Sequence, residues 1–219
     1  ALILLQDNIR KTAPATLRYF REQGVVCKVI SGNSVETVSG IARRAGMDNW
    51  DKAVDMSKVA KKDIPEAAAK YTVFGRVTPE QKKLLVQALQ KKGHTVAMTG
   101  DGVNDVMALK EADCGIAIAG GADAARNVAQ LVLLKSNFEA LPKVVAEGRR
   151  AINNIQRSAS LFLVKTVYAS LLSVAFLFIT APYPFEPIHL TLIGLTTTGI
   201  PSIVLGLQPN HELVRGRFL

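Results

Sequence analysis

Between Glu186 and Glu212 the chain runs for 25 residues without one Asp, Glu, Lys or Arg, and between Lys165 and Glu186 for another 20. A bilayer's hydrocarbon core, about 30 Å thick, is crossed by about 20 apolar residues in helical form, so each run is long enough to span it. The connecting segment, Ala181-Pro182-Tyr183-Pro184-Phe185-Glu186-Pro187, is rich in proline, which stops helices. The pattern predicts two transmembrane helices, 157–181 and 188–208, joined as a hairpin. A buried hairpin in a soluble protein is the alternative. Arg149, Arg150 and Arg157 precede the first span, Arg215 and Arg217 follow the second, and the loop between has no Lys or Arg. Both ends are therefore expected to face the cytoplasm, with 209–219 as a cytoplasmic tail.

The rest of the chain is unlike this. Residues 1–150 hold 23 basic and 16 acidic residues, and residues 151–219 only 4 and 2. A mean hydropathy of +0.19 describes neither part. The net charge of +9 does not point to nucleic acid, because basic residues alternate with acidic ones and no aromatic platform accompanies them. Cys27 and Cys114 lack metal-ligand spacing and His94, His189 and His211 are scattered, so we expect reduced thiols and no zinc site. The start, Ala1-Leu2-Ile3-Leu4-Leu5, has neither an initiator Met nor a charged leader and reads as an internal start.

Within this charged head, short apolar runs alternate with helical spacing. Leu2–Leu5 and Val25–Ile30 read as strands, with a helix from Ala13 to Arg21 between them that Gly24 stops. Val35–Ala45 and Pro79–Lys92 read as helices stopped by Gly46 and Gly93. Thr72–Phe74, Thr95–Met98, Gly115–Ile118 and Leu131–Leu134 read as strands, and Asp105–Glu111 as a helix. Such alternation predicts a parallel sheet with helices on both faces and ligands beyond the carboxyl ends of its strands. The polar stretch Asp48–Lys70 reads as a solvated face. From Glu139 helical spacing restarts, giving a stalk helix over 139–156.

The strand ending at Met98 runs into Thr99-Gly100-Asp101-Gly102-Val103-Asn104-Asp105. Glycines permit the tight turn, and two carboxylates flanking an amide are oxygen ligands suited to a hard cation such as Mg²⁺. The following helix start offers backbone N–H groups to an anion. Metal plus phosphate is the natural pairing.

This segment, with Ala108-Leu109-Lys110 and Ala112-Asp113-Cys114-Gly115-Ile116-Ala117, closely resembles the hinge region of P-type cation-transporting ATPases. The resemblance extends through Arg76-Val77-Thr78-Pro79-Glu80-Gln81-Lys82, Glu147-Gly148-Arg149-Arg150-Ala151-Ile152-Asn153-Asn154-Ile155 and the Gly199-Ile200-Pro201 break. It implies an α/β, Rossmann-like haloacid-dehalogenase parallel sheet, incomplete, over residues 1–138, followed by a transmembrane helical hairpin. It also implies Mg²⁺ and ATP as cofactors, with Asp101 and Asp105 at the metal. Asn104 and Asp105 would orient an aspartyl phosphate, and Lys82 would contact the transferred phosphoryl group. Thr99 and Gly100 belong to the same phosphate loop. Ser31-Gly32-Asn33 resembles the family's S/T-G-D nucleotide loop, with Asn33 where an aspartate is usual.

The family's nucleophile lies in D-K-T-G, which these 219 residues do not contain. The chain alone is therefore expected to be inactive, the remainder of the pump being its necessary partner. The implied location is the bilayer of a bacterial plasma membrane. Lys165 is the one ionisable residue of the first span and so a functional candidate. It is expected either to pair with an acid elsewhere in the pump or to snorkel to the interface. Thr166, Thr197 and Thr198 are candidate ion-path residues; the alternative for such hydroxyls is bonding to their own helix. The acidic and amide ligands of well-known calcium pumps are missing at Ala169, Gly194 and Thr198. The lysine-bearing span resembles a bacterial subgroup for which calcium transport has been proposed, so calcium is the favoured ion. A Mg²⁺-dependent soluble phosphatase and a non-catalytic membrane protein derived from a pump are the alternatives.

Overall fold

The computed structural model describes residues 9–134, 138–179, 181–210 and 212–214. It divides into two compact units, Ala1–Pro142 and Lys143–Leu219.

In the first unit six strands alternate with helices, all paired in parallel. They fall into two three-stranded sheets. One has the order β1 (Val29–Ile30), β3 (Val73–Gly75), β2 (Ala53–Asp55). The other has β4 (Ala97–Gly100), β5 (Cys114–Ile118), β6 (Leu131–Leu133). Helices α2 (Val35–Arg44) and α3 (Ile64–Lys70) connect the first sheet, and α5 (Val106–Glu111) and α6 (Asp123–Val128) the second. Helix α4 (Pro79–Lys91) leads from β3 to β4. Its start is fixed locally: the Thr78 hydroxyl accepts from the Gln81 N–H, the Gln81 side chain accepts from the Thr78 N–H, and Pro79 occupies a first-turn position.

The predicted strand Val25–Ile30 is reduced to Val29–Ile30. Helix α1 (Ala13–Glu22) ends in a left-handed Gly24 whose neighbour Val25 donates back to the Phe20 carbonyl. Val25 thus closes a helix instead of opening a strand. The polar stretch Asp48–Lys70 needs a larger correction. It contains β2 and α3, and Met56, Ile64, Ala67 and Ala68 pack with Phe74, Leu85 and Ala88 in the first sheet's core. The solvated positions of the stretch are its lysines together with residues such as Asp51, Ser57, Asp63 and Glu66. Helix α6 was not foreseen, and the predicted strand Leu2–Leu5 lies outside the described residues.

In the second unit α7 (Leu141–Phe176, whose first two residues belong to the first unit) is 36 residues long, about 54 Å at 1.5 Å per residue. After the loop come α8 (Pro187–Gly194), a π-turn at Leu195–Gly199 and α9 (Ile200–Leu207). Phe138–Phe176 and Pro187–Leu207 are long and apolar enough to cross a membrane. The expected break at Gly199-Ile200-Pro201 is a widened turn, not an interruption. Proline cannot donate to the carbonyl four residues back, and a π-turn just before it absorbs the mismatch.

Candidate active site

The turn after β4 is built around Asp105. A 3-10 turn, Val103–Asp105, carries it from the strand end into α5, and the Gly102 N–H donates to its Oδ2 at 3.2 Å. A Cβ at Gly100 would stand 2.5 Å from the Asp105 Cβ, so the strand's last residue must be glycine for this approach. The Lys82 ammonium, from the first turns of α4, donates to Asp105 Oδ1 at 2.6 Å, and both side chains are only 11% exposed. Burying both charges stabilises little in itself, but removing either would leave the other uncompensated, at a cost of about 3–5 kcal/mol. The pair is therefore preorganised: its geometry is set before any ligand arrives.

Asp101 and Asn104 lie on the exposed side of the same turn. The Asp101 backbone is held by the loop after β5, where the Ala122 N–H donates to its carbonyl at 2.7 Å. A Cβ at Gly121 would stand 2.9 Å from the Asp101 Cβ. Gly121 and Ala122 were not foreseen as part of the site. The Gly120-Gly121 doublet was their only trace in the sequence.

Ser31-Gly32-Asn33 leaves the end of β1 in the other sheet. The Asn33 N–H donates to the Ser31 hydroxyl at 3.2 Å. The loop is tied to the chain after β3 by Arg76 N–H to the Asn33 carbonyl, 2.8 Å, and Val77 N–H to the Ser31 carbonyl, 3.0 Å. Arg76 pays for this with a left-handed backbone, φ 52°. Its guanidinium lies 3.9 Å from Asp55. The Ser57 hydroxyl bonded to Asp55 is the main cause holding that carboxyl below its ordinary range, with Arg76 adding to it. Both candidate loops thus lie at carboxyl ends of parallel strands, one in each sheet.

In the second unit the Lys165 ammonium lies against α8: a Cβ at Gly194 would meet its Nζ at 2.6 Å. The threonine hydroxyls divide. Thr166 donates to the Phe162 carbonyl at 2.9 Å and Thr197 to the Ile193 carbonyl at 2.6 Å, both within their own helices. A hydroxyl donating in this way keeps its lone pairs for an incoming cation. Thr198, within the π-turn, is buried. Among the described residues no cluster of three or more His, Cys, Asp or Glu could hold a metal.

Parallel strands, a Gly-Asp-Gly-x-Asn-Asp turn and a buried lysine on its second aspartate define a hydrolase class, and the chain belongs to the haloacid dehalogenase-like hydrolase family. That family's model matches residues 1–113. Among particular proteins, the chain is 46% identical to the calcium-transporting ATPase CtpE of Mycobacterium tuberculosis over 97% of its own length and 28% of that protein's. It is 44% identical to the probable cation-transporting ATPase exp7 of Streptococcus pneumoniae over 100% of its length and 29% of the relative's. With a calcium-transporting ATPase of Bacillus subtilis it shares 32% over 95% and 24%. A solved zinc-transporting PIB-type ATPase in its E2.Pi state is similar in fold, with a TM-score of 0.68 at 23% identity, over 92% of this chain and 28% of that one. The chain thus spans between 24% and 29% of the length of these curated relatives.

Proposed function

We propose that the chain is part of an ATP-driven cation pump, with residues 1–138 handling phosphoryl transfer, 139–156 forming a stalk, and the two helices contributing to the ion path. The observation that carries this reading is the buried Lys82–Asp105 pair on the glycine-rich turn, present in one polypeptide with two membrane-length helices. The soluble-phosphatase alternative leaves those helices without a purpose.

In this reading Lys82 offsets charge on the phosphoryl group, Asn104 orients it, and Thr99, Gly100 and the Ser31-Gly32-Asn33 loop receive the phosphates of ATP. Asp101 and Asp105 would hold Mg²⁺, which, when bound, neutralises phosphate charge. The residues fit that ion. The Asp101 carboxylate is exposed, and Mg²⁺ keeps several waters while taking one or two carboxylates with substrate oxygens. Asn33 keeps hydrogen-bonding capacity at the nucleotide loop and lacks the charge of the usual aspartate. The nucleophilic aspartate comes from outside these residues. Among the described residues β1 and β4 are each an edge strand of their sheet, as are β2 and β6 at the opposite edges, and a strand carrying the nucleophile would pair at the β1 or β4 edge.

Lys165 serves as a fixed positive charge within the ion path, with Thr166, Thr197 and Thr198 nearby in sequence or span, and acidic ligands supplied by other helices. We favour calcium as the ion, a cytoplasmic first unit and the plasma membrane of a bacterium, on the strength of the relatives' names and the arginines flanking the spans. ATP-dependent calcium uptake by inside-out vesicles containing the full-length protein tests this. Uptake should vanish in Asp101→Asn, and the reading fails if wild-type vesicles show no ATP-dependent uptake of calcium or another cation.

A further inference from the structure

Two adjacent asparagines on α7 reach across to the chain at the end of α9. Asn154 Nδ2 donates to the carbonyls of Gly206, 3.3 Å, and Gln208, 2.9 Å. Asn153 Nδ2 donates to Asn210 Oδ1 and to the Glu212 carbonyl, both at 3.1 Å. Asn210 Oδ1 also accepts from the Glu212 N–H at 3.2 Å. Asn154 and Asn210 are 5% and 8% exposed.

Each amide NH₂ has two protons, and each proton has an acceptor. The last carbonyls of a helix have no partner within it, and here a side chain from another helix supplies one. The orientation of Asn154 follows from this, since a flipped amide would point its oxygen at two carbonyls. Among the described residues its buried Oδ1 has no partner, so the residue's contribution lies in its donors. No charged side chain takes part, which suits a joint near the end of an apolar helix.

We propose that Asn153 and Asn154 form a clasp that makes the end of α9 move with the charged half of α7. They are positioning residues for the pump reading, on which the inference rests. A displacement of α7 would reach the second span through four side-chain hydrogen bonds, and not only through the loop at the far ends of the helices.

The test uses the full-length protein in vesicles. Asn154→Leu removes both donors while keeping bulk. The cations moved per ATP hydrolysed should fall about tenfold, the equivalent of losing one or two buried bonds, while the phosphorylated intermediate still forms. Asn153→Cys with Asn210→Cys should show a similar loss, and a short reversible bis-methanethiosulfonate bridge between the two thiols should restore the ratio. Reductant should abolish it again. A general folding defect would lower phosphorylation and transport together and would not be rescued by a bridge. An unchanged ratio in Asn154→Leu, or a bridge that cannot form or that blocks uptake, overturns the proposal. Absence of uptake in the wild type refutes the pump reading, whereas bridge formation still reports on the clasp.

Discussion

The two units use a lysine in opposite ways. Lys82 is buried in a charged, water-facing unit and donates to a carboxylate at 2.6 Å. Lys165 lies in an apolar helix, and among the described residues no hydrogen bond or ion pair engages its ammonium, which fits where Gly194 has no side chain. A buried charge must be paired, whereas a charge on a lone pair of helices waits for partners that those helices do not contain. The first unit therefore contains most of its own electrostatic logic. In the second, the hydroxyls of Thr166, Thr191, Thr196 and Thr197 donate to carbonyls of their own helices, and the neutral amides of Asn153 and Asn154 make bonds across to the chain at the end of α9.

The contrast is broken most directly at Lys82. Lys82→Met in the full-length protein should lower ATP hydrolysis by about a thousandfold, the scale of losing a preorganised charge at a developing negative centre. Retained turnover would show that the pair is structural. Asp105→Ala should cost about 3–5 kcal/mol of first-unit stability by stranding the Lys82 charge. Combining it with Lys82→Met should recover most of that loss in a thermal-melt double-mutant cycle. If the losses simply add, the pair is not coupled.

For Lys165 the sign should reverse. Lys165→Leu should improve membrane insertion by about 3 kcal/mol in a translocon assay, because a lysine near the middle of a span is costly. It should nevertheless lower transport or alter the ratio of cation to ATP. Gly194→Ala should act in the same direction through the ammonium it displaces, and the end of a flexible side chain can move without unfolding the helix. If both variants pump like the wild type, Lys165 is no part of the ion path.

How much of this was legible in the sequence follows the same division. Local chemistry read well: the helix from Pro79, the stops at Gly46 and Gly93 and the Gly-Asp-Gly turn are each fixed by residues within a few positions of one another. What depended on distant partners read poorly. Ala53-Val54-Asp55 becomes a strand because β3 lies beside it, and nothing in its composition separates it from the polar residues around it. Lys82 and Asp105 are 23 residues apart, and the resemblance named both without showing that they pair. The Asn153-Asn154 bonds cross more than 50 residues. The motif marked those residues, but only the fold supplied their acceptors.

A smaller effect sharpens the comparison from the first unit's side. Cys27, just before β1, packs beside Val38, Ala42, Met47 and Val73. Burial pushes its thiol above the ordinary range, and the nearby Asp48 charge adds to the shift. The folded state thus holds the proton more tightly than the unfolded chain does. This contribution to stability is fully present below the unfolded thiol's pKa and is lost as pH rises through the higher folded value. At pH 8 the thiolate fraction should be below that of a free cysteine, and alkylation by iodoacetamide correspondingly slower by a few-fold, because the thiolate is the reactive form. The difference from an unfolded peptide should narrow as pH climbs past both values. Because Cys27 borders the sheet edge at β1, its rate also reports whether that edge is closed. A rate equal to the peptide's at pH 8 would mean that the β1 side of the sheet is open to water, and that the first unit is less complete in itself than its paired charges imply.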